Sequence, residues 1–246
     1  MREGRLVDDL AALGPFFAVD SHPPDVEPVP PWRLVSELTA PSEALSDRIA
    51  VVRAAMAART GLPAAEIEPR AAASAVQFGM LARLVAPPLG SAVLGWRLDM
   101  RPEGLWWRDE TGGPVPLSVP TPSDSYGGPG EWDRRLLDEV IEPVTVGTAQ
   151  LVPVSGRVLW GNVAAAINAA ALQVAAQRPD LAAGAWRAAA RLFARPQLAT
   201  ERQPPGPAFR RSSCCLFYRL VPSGGPAALC GNCVLGVSRA RSGSTA

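Results

Sequence analysis

Apolar residues recur at helical spacing in two segments of the N-terminal half of the chain. In the first segment, successive apolar positions are four, three and four residues apart: Leu45, Ile49, Val52 and Met56. Ser42 suits the N-cap of this helix, and Gly61 suits its end. A second helix is predicted over 69–86. A proline fits its first turn, and the pair Pro87-Pro88 should end it.

The pattern changes between residues 89 and 119. Short apolar runs, AVLGW, GLWWRD and VPLSV, are separated there by glycine and proline pairs. Because this pattern is typical of short strands joined by turns, we predict a small antiparallel sheet near 89–119. Four tryptophans lie in or beside this section: Trp96, Trp106, Trp107 and Trp132. They are interpreted as the cover of one sheet face, with a stacking wall for a flat ligand as the alternative.

Two proline- and glycine-rich stretches should interrupt the regular structure. Residues 20–31, DSHPPDVEPVPP, are predicted to form a loop that exposes His22, the single histidine, to solvent. Residues 120–130, PTPSDSYGGPG, are predicted to form a flexible connection.

Helical patterns return after residue 130. Helices are predicted for WDRRLLDEVIEP, for an Ala-rich stretch over 158–177 and for 180–195, before QPPGP breaks the pattern. The apolar stretch VLWGNVAAAINAAALQVAA is interrupted by three polar residues: Asn162, Asn168 and Gln173. It is therefore predicted to be a buried helix, not a membrane span. Asn162 is expected to cap a helix or to form a buried hydrogen bond.

The net charge of the chain disfavours the class of nucleic-acid-binding proteins. The net charge is +1, and all 24 basic residues are arginines. Because a basic excess is missing, a nucleic-acid partner is not expected. The first residues show no signal-peptide pattern, so we expect a cytoplasmic protein, with its cysteines in a reducing compartment. GxGxxG, Walker and Ser/His/Asp patterns are also missing from the sequence.

The four cysteines of the chain all lie between residues 214 and 233, as an adjacent pair and a CxxC pair: Cys214, Cys215, Cys230 and Cys233. Disulfides are disfavoured in a reducing compartment. A structural zinc ion commonly uses CxxC, although adjacent cysteines in extended backbone point to opposite faces. A [2Fe–2S] cluster is larger and accepts four thiolates from several directions. CLFYRLV resembles a strand and PSGGPAA a turn, so a hairpin is predicted to return Cys230 beside Cys215.

The paired CC followed by CxxC resembles the signature of the ferric siderophore reductase family, the FhuF-like proteins. RRSSCCLFYR and LCGNCVL look like its actinobacterial, (2Fe–2S)-binding branch, and three upstream blocks are similar to the family in the same order: RAAASAVQFGMLARLVAPPLG, GLWWRDETGGPVPLSV and VLWGNVAAAINAA. The resemblance covers most of residues 65–235. The spacing of fourteen residues between the second and third cysteines is longer than in the best-known family pattern.

The resemblance implies a [2Fe–2S] cluster with Cys214, Cys215, Cys230 and Cys233 as metal ligands. It implies one-electron reduction of ferric iron in a siderophore complex, of hydroxamate type, with release of Fe(II) in the cytoplasm. A ferredoxin-like donor would supply the electrons, and contact with an inner-membrane transporter would place the protein at the inner face of the membrane. The alternatives are a zinc-stabilised binding module and a [2Fe–2S] electron carrier or sensor without a siderophore substrate.

Three arginines near the cysteines in sequence bear on this chemistry: Arg210, Arg211 and Arg219. If they are also near in space, their charge should favour the reduced cluster and attract an acidic donor or an anionic chelate. The alternative is that they are solvated surface charges.

The fold class expected from these patterns is α+β, a mainly helical body with a small antiparallel sheet and a C-terminal Cys-rich iron–sulfur segment. We predict three parts: a loop-rich arm over 1–40, a mainly helical body over 41–205 and the cluster-binding segment over 206–246.

Overall fold

A computed structural model of the chain describes residues 2–96, 98–121, 131–220 and 229–235. The α-helices are α1 (Arg2–Ala11), α2 (Glu43–Thr60), α3 (Pro69–Val93), α4 (Glu131–Arg134), α5 (Glu142–Leu151), α6 (Gly156–Gln177) and α7 (Ala182–Phe193). A π-helical stretch, Arg135–Ile141, joins α4 to α5. Short 3-10 helices are Val35–Leu38, Ala64–Glu66, Pro102–Gly104, Pro179–Leu181, Pro196–Leu198 and Phe217–Leu220. The strands are β1 (Asp20–His22), β2 (Trp32–Leu34), β3 (Trp106–Arg108) and β4 (Leu117–Pro120). The α+β class is confirmed.

Helices α3 and α6 form the centre of the core and run in the same direction. Near their C-terminal ends both contact the segment that follows α1: Gln173 of α6 donates a hydrogen bond to the Leu13 carbonyl at 3.3 Å. A methyl group added at Gly90 of α3 would overlap the side chains of Leu13 and Phe17. The N-terminal ends of the two helices therefore lie together at the opposite end of the core.

Helix α3 does not stop where the sequence predicted. The prediction that Pro87-Pro88 ends it is wrong, because the helix continues to Val93. Each proline removes one helical hydrogen bond, at a cost of about 3 kcal/mol in a helix interior. Both prolines are buried, and so is Leu89 beyond them, so packing against the core outweighs this cost. The predicted ends of α2 are confirmed: Ser42 accepts a hydrogen bond from the Leu45 N–H at 3.2 Å, and Gly61 is left-handed.

The sheet is small and mixed, with the strand order β1-β4-β3-β2. Strands β2 and β4 are antiparallel to β3, whereas β1 is parallel to β4, with Asp20 opposite Ser118. The strands predicted for GLWWRD and VPLSV are present as β3 and β4. AVLGW instead forms the last turn of α3 and the turn after it, so the strand prediction there is wrong.

The N-terminal region contributes more than a loop. Asp20–His22 forms β1, so the loop prediction is wrong for these residues. His22 is buried and shares a hydrogen bond of 2.7 Å with Ser118, so its predicted exposure is also wrong. Leu6 and Leu10 of α1 are buried in the common core. The division into three parts at residues 40 and 205 stays a prediction.

The tryptophans differ in their burial. Trp107 of β3 is completely buried and donates its indole N–H to the Leu34 carbonyl at 3.2 Å, so it is a core residue. Trp96, Trp106 and Trp132 are partly buried. Most of the predicted connection over 120–130 lies outside the described residues.

Helix α6 is the Ala-rich helix predicted from the sequence. Of the described helices, it has the length and hydropathy of a membrane span, but 67% of its most apolar window is buried within the protein. Asn162 and Asn168 are buried within it as well. These are the properties of a core helix.

Candidate functional site

The cysteine segment lies across the N-terminal ends of α3 and α6. Its two halves, 211–220 and 229–235, meet in space: the Arg211 N–H donates to the Asn232 carbonyl at 3.1 Å. The Cys215 and Cys230 sulfurs are 3.5 Å apart. The prediction that Cys230 returns beside Cys215 is therefore confirmed, although fourteen residues separate them.

The backbone between these cysteines is not the strand that was predicted. Phe217–Leu220 forms a 3-10 helix, and the predicted turn over 222–228 lies outside the described residues. Leu216, with φ 67°, is the described non-glycine residue in the left-handed region. Phe217 packs edge-on against Phe78 of α3, with ring centroids 5.6 Å apart. Residues with β propensity thus form a tight turn here, because tertiary contacts decide their conformation.

The left-handed turn makes adjacent cysteines usable at one site. The backbone N–H of Leu216 donates to the Cys214 sulfur at 3.4 Å. The backbone N–H of Phe217 favours the Cys215 thiolate. Successive N–H groups around a left-handed residue form a concavity that suits anions. The turn therefore directs donors to both sulfurs of the CC pair.

Hydrogen bonding and burial shift the pKa values of Cys214, Cys215 and Cys230. Hydrogen bonding from Cys230, together with the Phe217 N–H and the charge of Arg211, lowers the pKa of Cys215 to about 6. The same hydrogen bond raises the pKa of Cys230, and burial raises that of Cys214. Since the thiolate is the form that binds metals, the lowered pKa of Cys215 prepares this thiol to do so.

Two of the four sulfurs, those of Cys215 and Cys230, are in direct proximity. Across the described parts of the chain, which contain all four cysteines, no three His, Cys, Asp or Glu side chains are placed to hold one metal ion. A structural zinc site needs four ligands at tetrahedral positions around one ion.

A buried polar network connects Cys215 to both central helices. The Ser74 hydroxyl of α3 donates to the Cys215 carbonyl at 2.9 Å. The Asn162 amide of α6 donates to the Ser74 hydroxyl at 3.0 Å and to the Gln77 side-chain oxygen at 2.8 Å. Gln77 in turn donates to Thr145 at 3.2 Å. Because these groups are buried, their hydrogen bonds are directional constraints on the backbone of Cys215.

The residues before the cysteines are fixed on the first turns of α6. Ser213 donates its hydroxyl to the Arg157 carbonyl at 2.7 Å, and Arg211 donates to the Val158 carbonyl at 3.1 Å. A methyl group on Gly161 would lie 3.1 Å from the Arg211 guanidinium and would overlap the Ser213 hydroxyl. Glycine at 161 therefore permits the close approach of this segment.

This geometry can be compared with known families. Residues 97–219, half of the chain, match the family described as ferric iron reductase FhuF-like transporter. The chain belongs to this FhuF-like family. Residues 211–235 match the FhuF 2Fe-2S C-terminal domain, and this match spans all four cysteines. No curated protein matches the chain.

The FhuF-like protein therefore binds a [2Fe–2S] cluster, and its residues fit that cofactor. The donor set consists of soft thiols in close proximity, which suit iron–sulfur ligation. Cys215, with its lowered pKa, approaches Cys230 to 3.5 Å, and N–H donors face the sulfurs of the CC pair. Hydrogen bonds to the sulfurs are among the features that set the potential of such clusters.

The structure distinguishes the three arginines near the cysteines. Arg211 is buried, and its charge acts on Cys215, Cys230 and Cys214. Arg219 is exposed and forms an ion pair with Glu68 at 2.7 Å, which lowers the pKa of Glu68. Arg210 is partly exposed and donates to the carbonyl of its neighbour Phe209. Burial next to the sulfurs is thus specific to Arg211.

Sequence analysis missed several residues of this FhuF-like site. Ser74, Gln77 and Gly161 were given no role, although they lie in two of the blocks that resemble the family. Their occurrence in those blocks is the signal that could have indicated them. Leu216 lies in the block RRSSCCLFYR, but its left-handed conformation could not be predicted from the sequence, because leucine is rarely left-handed. Asn162 forms the buried hydrogen bonds that were one of its two expected roles.

Proposed function

We propose that this protein passes one electron to the ferric iron of a siderophore complex and releases Fe(II) in the cytoplasm. Cys214, Cys215, Cys230 and Cys233 would hold the [2Fe–2S] cluster. The observation that supports this most strongly is the approach of Cys215 to Cys230 inside the segment matched by the 2Fe-2S domain.

The burial of the cysteines suits electron transfer to a large substrate. Each pair contributes one buried thiol, Cys215 or Cys233, and one partly exposed thiol, Cys214 or Cys230. One edge of the site is therefore within reach of a chelate too large to enter the protein. The cluster, when bound, supplies a single electron at a time. Cys214 and Cys230 would hold the cluster on its partly exposed side, and Cys215 and Cys233 would hold it on its buried side.

Reduction is a sufficient mechanism for release of iron. Siderophores of hydroxamate type bind Fe(III) through hard oxygen ligands, and the softer Fe(II) binds to them more weakly. Because the chelate is not cleaved, no general acid, base or nucleophile is required. This agrees with the missing hydrolase and nucleotide-binding patterns in the sequence.

The charges around the site support a donor that is itself a protein. Three exposed or partly exposed arginines surround the cysteine segment: Arg157, Arg202 and Arg210. Within the described residues none of the three forms an ion pair, whereas Arg219 is neutralised by Glu68. Unpaired positive charge of this kind attracts an acidic, ferredoxin-like donor and an anionic chelate. Contact with an inner-membrane transporter, at the inner face of the membrane, belongs to the same proposal.

The test begins with protein purified without oxygen. We expect a red-brown solution with equimolar iron and sulfide, a visible absorption that dithionite bleaches and an EPR signal in the reduced state. Addition of a ferric hydroxamate should restore the oxidised spectrum and release one Fe(II) per reduced cluster to a ferrous chelator. Replacement of Cys215 by Ala should abolish the iron and sulfide content, while Gly79→Ala, whose added methyl group meets nothing within 4 Å, should retain it.

Two outcomes would contradict the proposal in different ways. Colourless protein that contains zinc would contradict the assignment of an iron–sulfur cluster to these cysteines. Red-brown protein that stays reduced in the presence of ferric hydroxamates would support the cluster but contradict the siderophore substrate. The protein would then be an electron carrier or a sensor.

A further inference from the structure

We infer that Arg211 is a fixed, buried positive charge beside the cluster that favours its reduced state. The inference rests on the proposed placement of the cluster at the four cysteines. It assigns Arg211 as a positioning and potential-setting residue that does not touch the siderophore.

The argument starts from the unusual burial of this side chain. Arg211 is only 3% exposed. Its guanidinium donates to the Val158 carbonyl at 3.1 Å, and its Nε is buried without a hydrogen-bond partner. In the part of the chain that the structure describes, it forms no ion pair. A buried charge without a counter-charge is costly in free energy. We therefore expect a negatively charged group to lie beside Arg211 in the functional protein.

A second buried arginine shows how the protein satisfies such a group when the role is structural. Arg83 of α3 is also 3% exposed, but its guanidinium donates to four backbone carbonyls: Pro15, Phe16, Ala18 and Val115. The bond to Val115 measures 2.6 Å. Arg83 thus joins the segment after α1 to the sheet, and its donors are in use. Arg211 has the same burial with a single carbonyl acceptor.

The charged groups around Arg211 indicate which negative charge it would balance. The charged groups that act on Arg211 are, in decreasing order, Cys215, Cys230, Glu201 and Cys214, so thiols of both pairs are among them. The Glu201 carboxylate is already engaged by the Ser212 N–H at 2.9 Å. An anionic iron–sulfur centre held by the four thiolates is therefore the charge that Arg211 faces.

The central helix is shaped to accept this arginine. Gly161 of α6 lies against the guanidinium, and any side chain there would displace Arg211 and Ser213. The Arg211 N–H also fixes the second half of the segment through the Asn232 carbonyl. Arg211 therefore stands at the contact of α6 with both halves of the cysteine segment.

The consequence for chemistry follows from charge. Reduction adds one negative charge to the centre, and a nearby fixed positive charge stabilises that form more than the oxidised form. The effect is strong because Arg211 is shielded from water and salt, unlike the partly exposed Arg210 and the exposed Arg219. Reduction by the donor should therefore be easier than it would be with a neutral residue at 211.

The experiment measures the midpoint potential of the holoprotein by spectroelectrochemistry in four proteins: wild type, Arg211→Gln, Arg211→Lys and Arg210→Gln. Arg211→Gln should lower the equilibrium constant for one-electron reduction about tenfold, which is a fall of about 59 mV. Arg211→Lys keeps the charge and should stay within about threefold of wild type, as should Arg210→Gln, the adjacent control.

An Arg211→Gln protein with full iron and sulfide and an unchanged potential would overturn the inference. If Arg211→Gln assembles no cluster, the Arg211→Lys variant is the test. A midpoint potential near that of wild type supports the role of charge. A tenfold fall in the equilibrium constant for reduction, or loss of the cluster, overturns it. These failures differ from failure of the proposed function, which is seen in wild-type protein that lacks iron and sulfide or does not reduce ferric hydroxamates.

Discussion

The two ends of the α3–α6 pair differ in the kind of contact that they make. At the C-terminal end the helices pack through apolar side chains, with Leu84 and Leu89 of α3 completely buried and Gly90 in contact with Leu13 and Phe17. At the N-terminal end they meet through buried polar groups that reach Cys215. Apolar packing is non-directional and contributes mainly stability, whereas hydrogen bonds fix positions. The same two helices therefore carry a stabilising end and a positioning end.

The largest expected effect on stability is at the apolar end. Replacement of Leu84 by Ala should lower the free energy of unfolding by about 2–5 kcal/mol, because it removes a completely buried side chain. The visible spectrum and the iron content of the folded protein should not change. Denaturant unfolding with absorption measurements tests this, with exposed Val51→Ala as the control. Loss of the cluster in folded Leu84→Ala protein would contradict the separation of the two ends.

A matched pair of glycine substitutions tests the positioning end. Gly161→Ala should lower the unfolding free energy by about 1–3 kcal/mol, because the methyl group overlaps Ser213 and approaches Arg211. It should also reduce the iron and sulfide bound per chain. Gly79→Ala adds a methyl group that meets nothing within 4 Å, and it should stabilise helix α3 by up to about 1 kcal/mol. Equal effects of the two substitutions would mean that the close approach at Gly161 has no role.

A smaller effect is expected at Leu216, where the chain turns between the sulfurs. A residue with a Cβ in the left-handed region carries a cost of about 1–2 kcal/mol that glycine avoids. Leu216→Gly should therefore be more stable than Leu216→Ala by about 1 kcal/mol, since both remove the leucine side chain and differ in backbone preference. Chemical denaturation of the two holoproteins measures the difference. Identical stabilities would show that the φ of 67° is not a source of strain.

The smallest effect concerns His22, which lies in the sheet and outside both helix ends. Burial lowers the pKa of His22 below its usual 6.5, so the folded state disfavours its protonated form. Its contribution to stability is complete above pH 6.5 and is lost as the pH falls below that value, where the unfolded chain takes up the proton first. His22→Gln should lose less stability than wild type between pH 7.5 and pH 5.5. Parallel curves for the two proteins, measured by thermal unfolding, would contradict this.

The elements that the sequence predicted are those decided by local pattern. Ser42 and Gly61 bound α2 because capping depends on a few adjacent groups. The strand at Asp20–His22 could not be predicted from its own residues, because its partner, β4, lies almost a hundred residues further along the chain. The continuation of α3 through Pro87 and Pro88 likewise depends on burial against the rest of the protein.

The candidate site also contains features that could be predicted from the sequence and features that depend on the folded chain. The four cysteines and their closeness were predictable from their motif and from a short chain reversal. The burial of Arg211 was not, because Arg210 and Arg211 are equivalent in the sequence and are distinguished only by the contacts of the folded chain, among them those of Arg211 with Val158 and Gly161. The roles of Ser74 and Asn162 depend on a contact between helices 88 residues apart in sequence.

The hydrogen bond from Arg211 to Asn232 has a consequence for the spacing of the cysteines. It lies outside Cys215 and Cys230 in sequence and closes the segment behind them, so the two ends that carry the sulfurs are held by their own contacts. We therefore expect that a change in the number of residues between the second and third cysteines leaves the contact of Cys215 with Cys230 in place. Length changes at this point are also a practical place to insert a spectroscopic label or an electrode tether close to the redox centre.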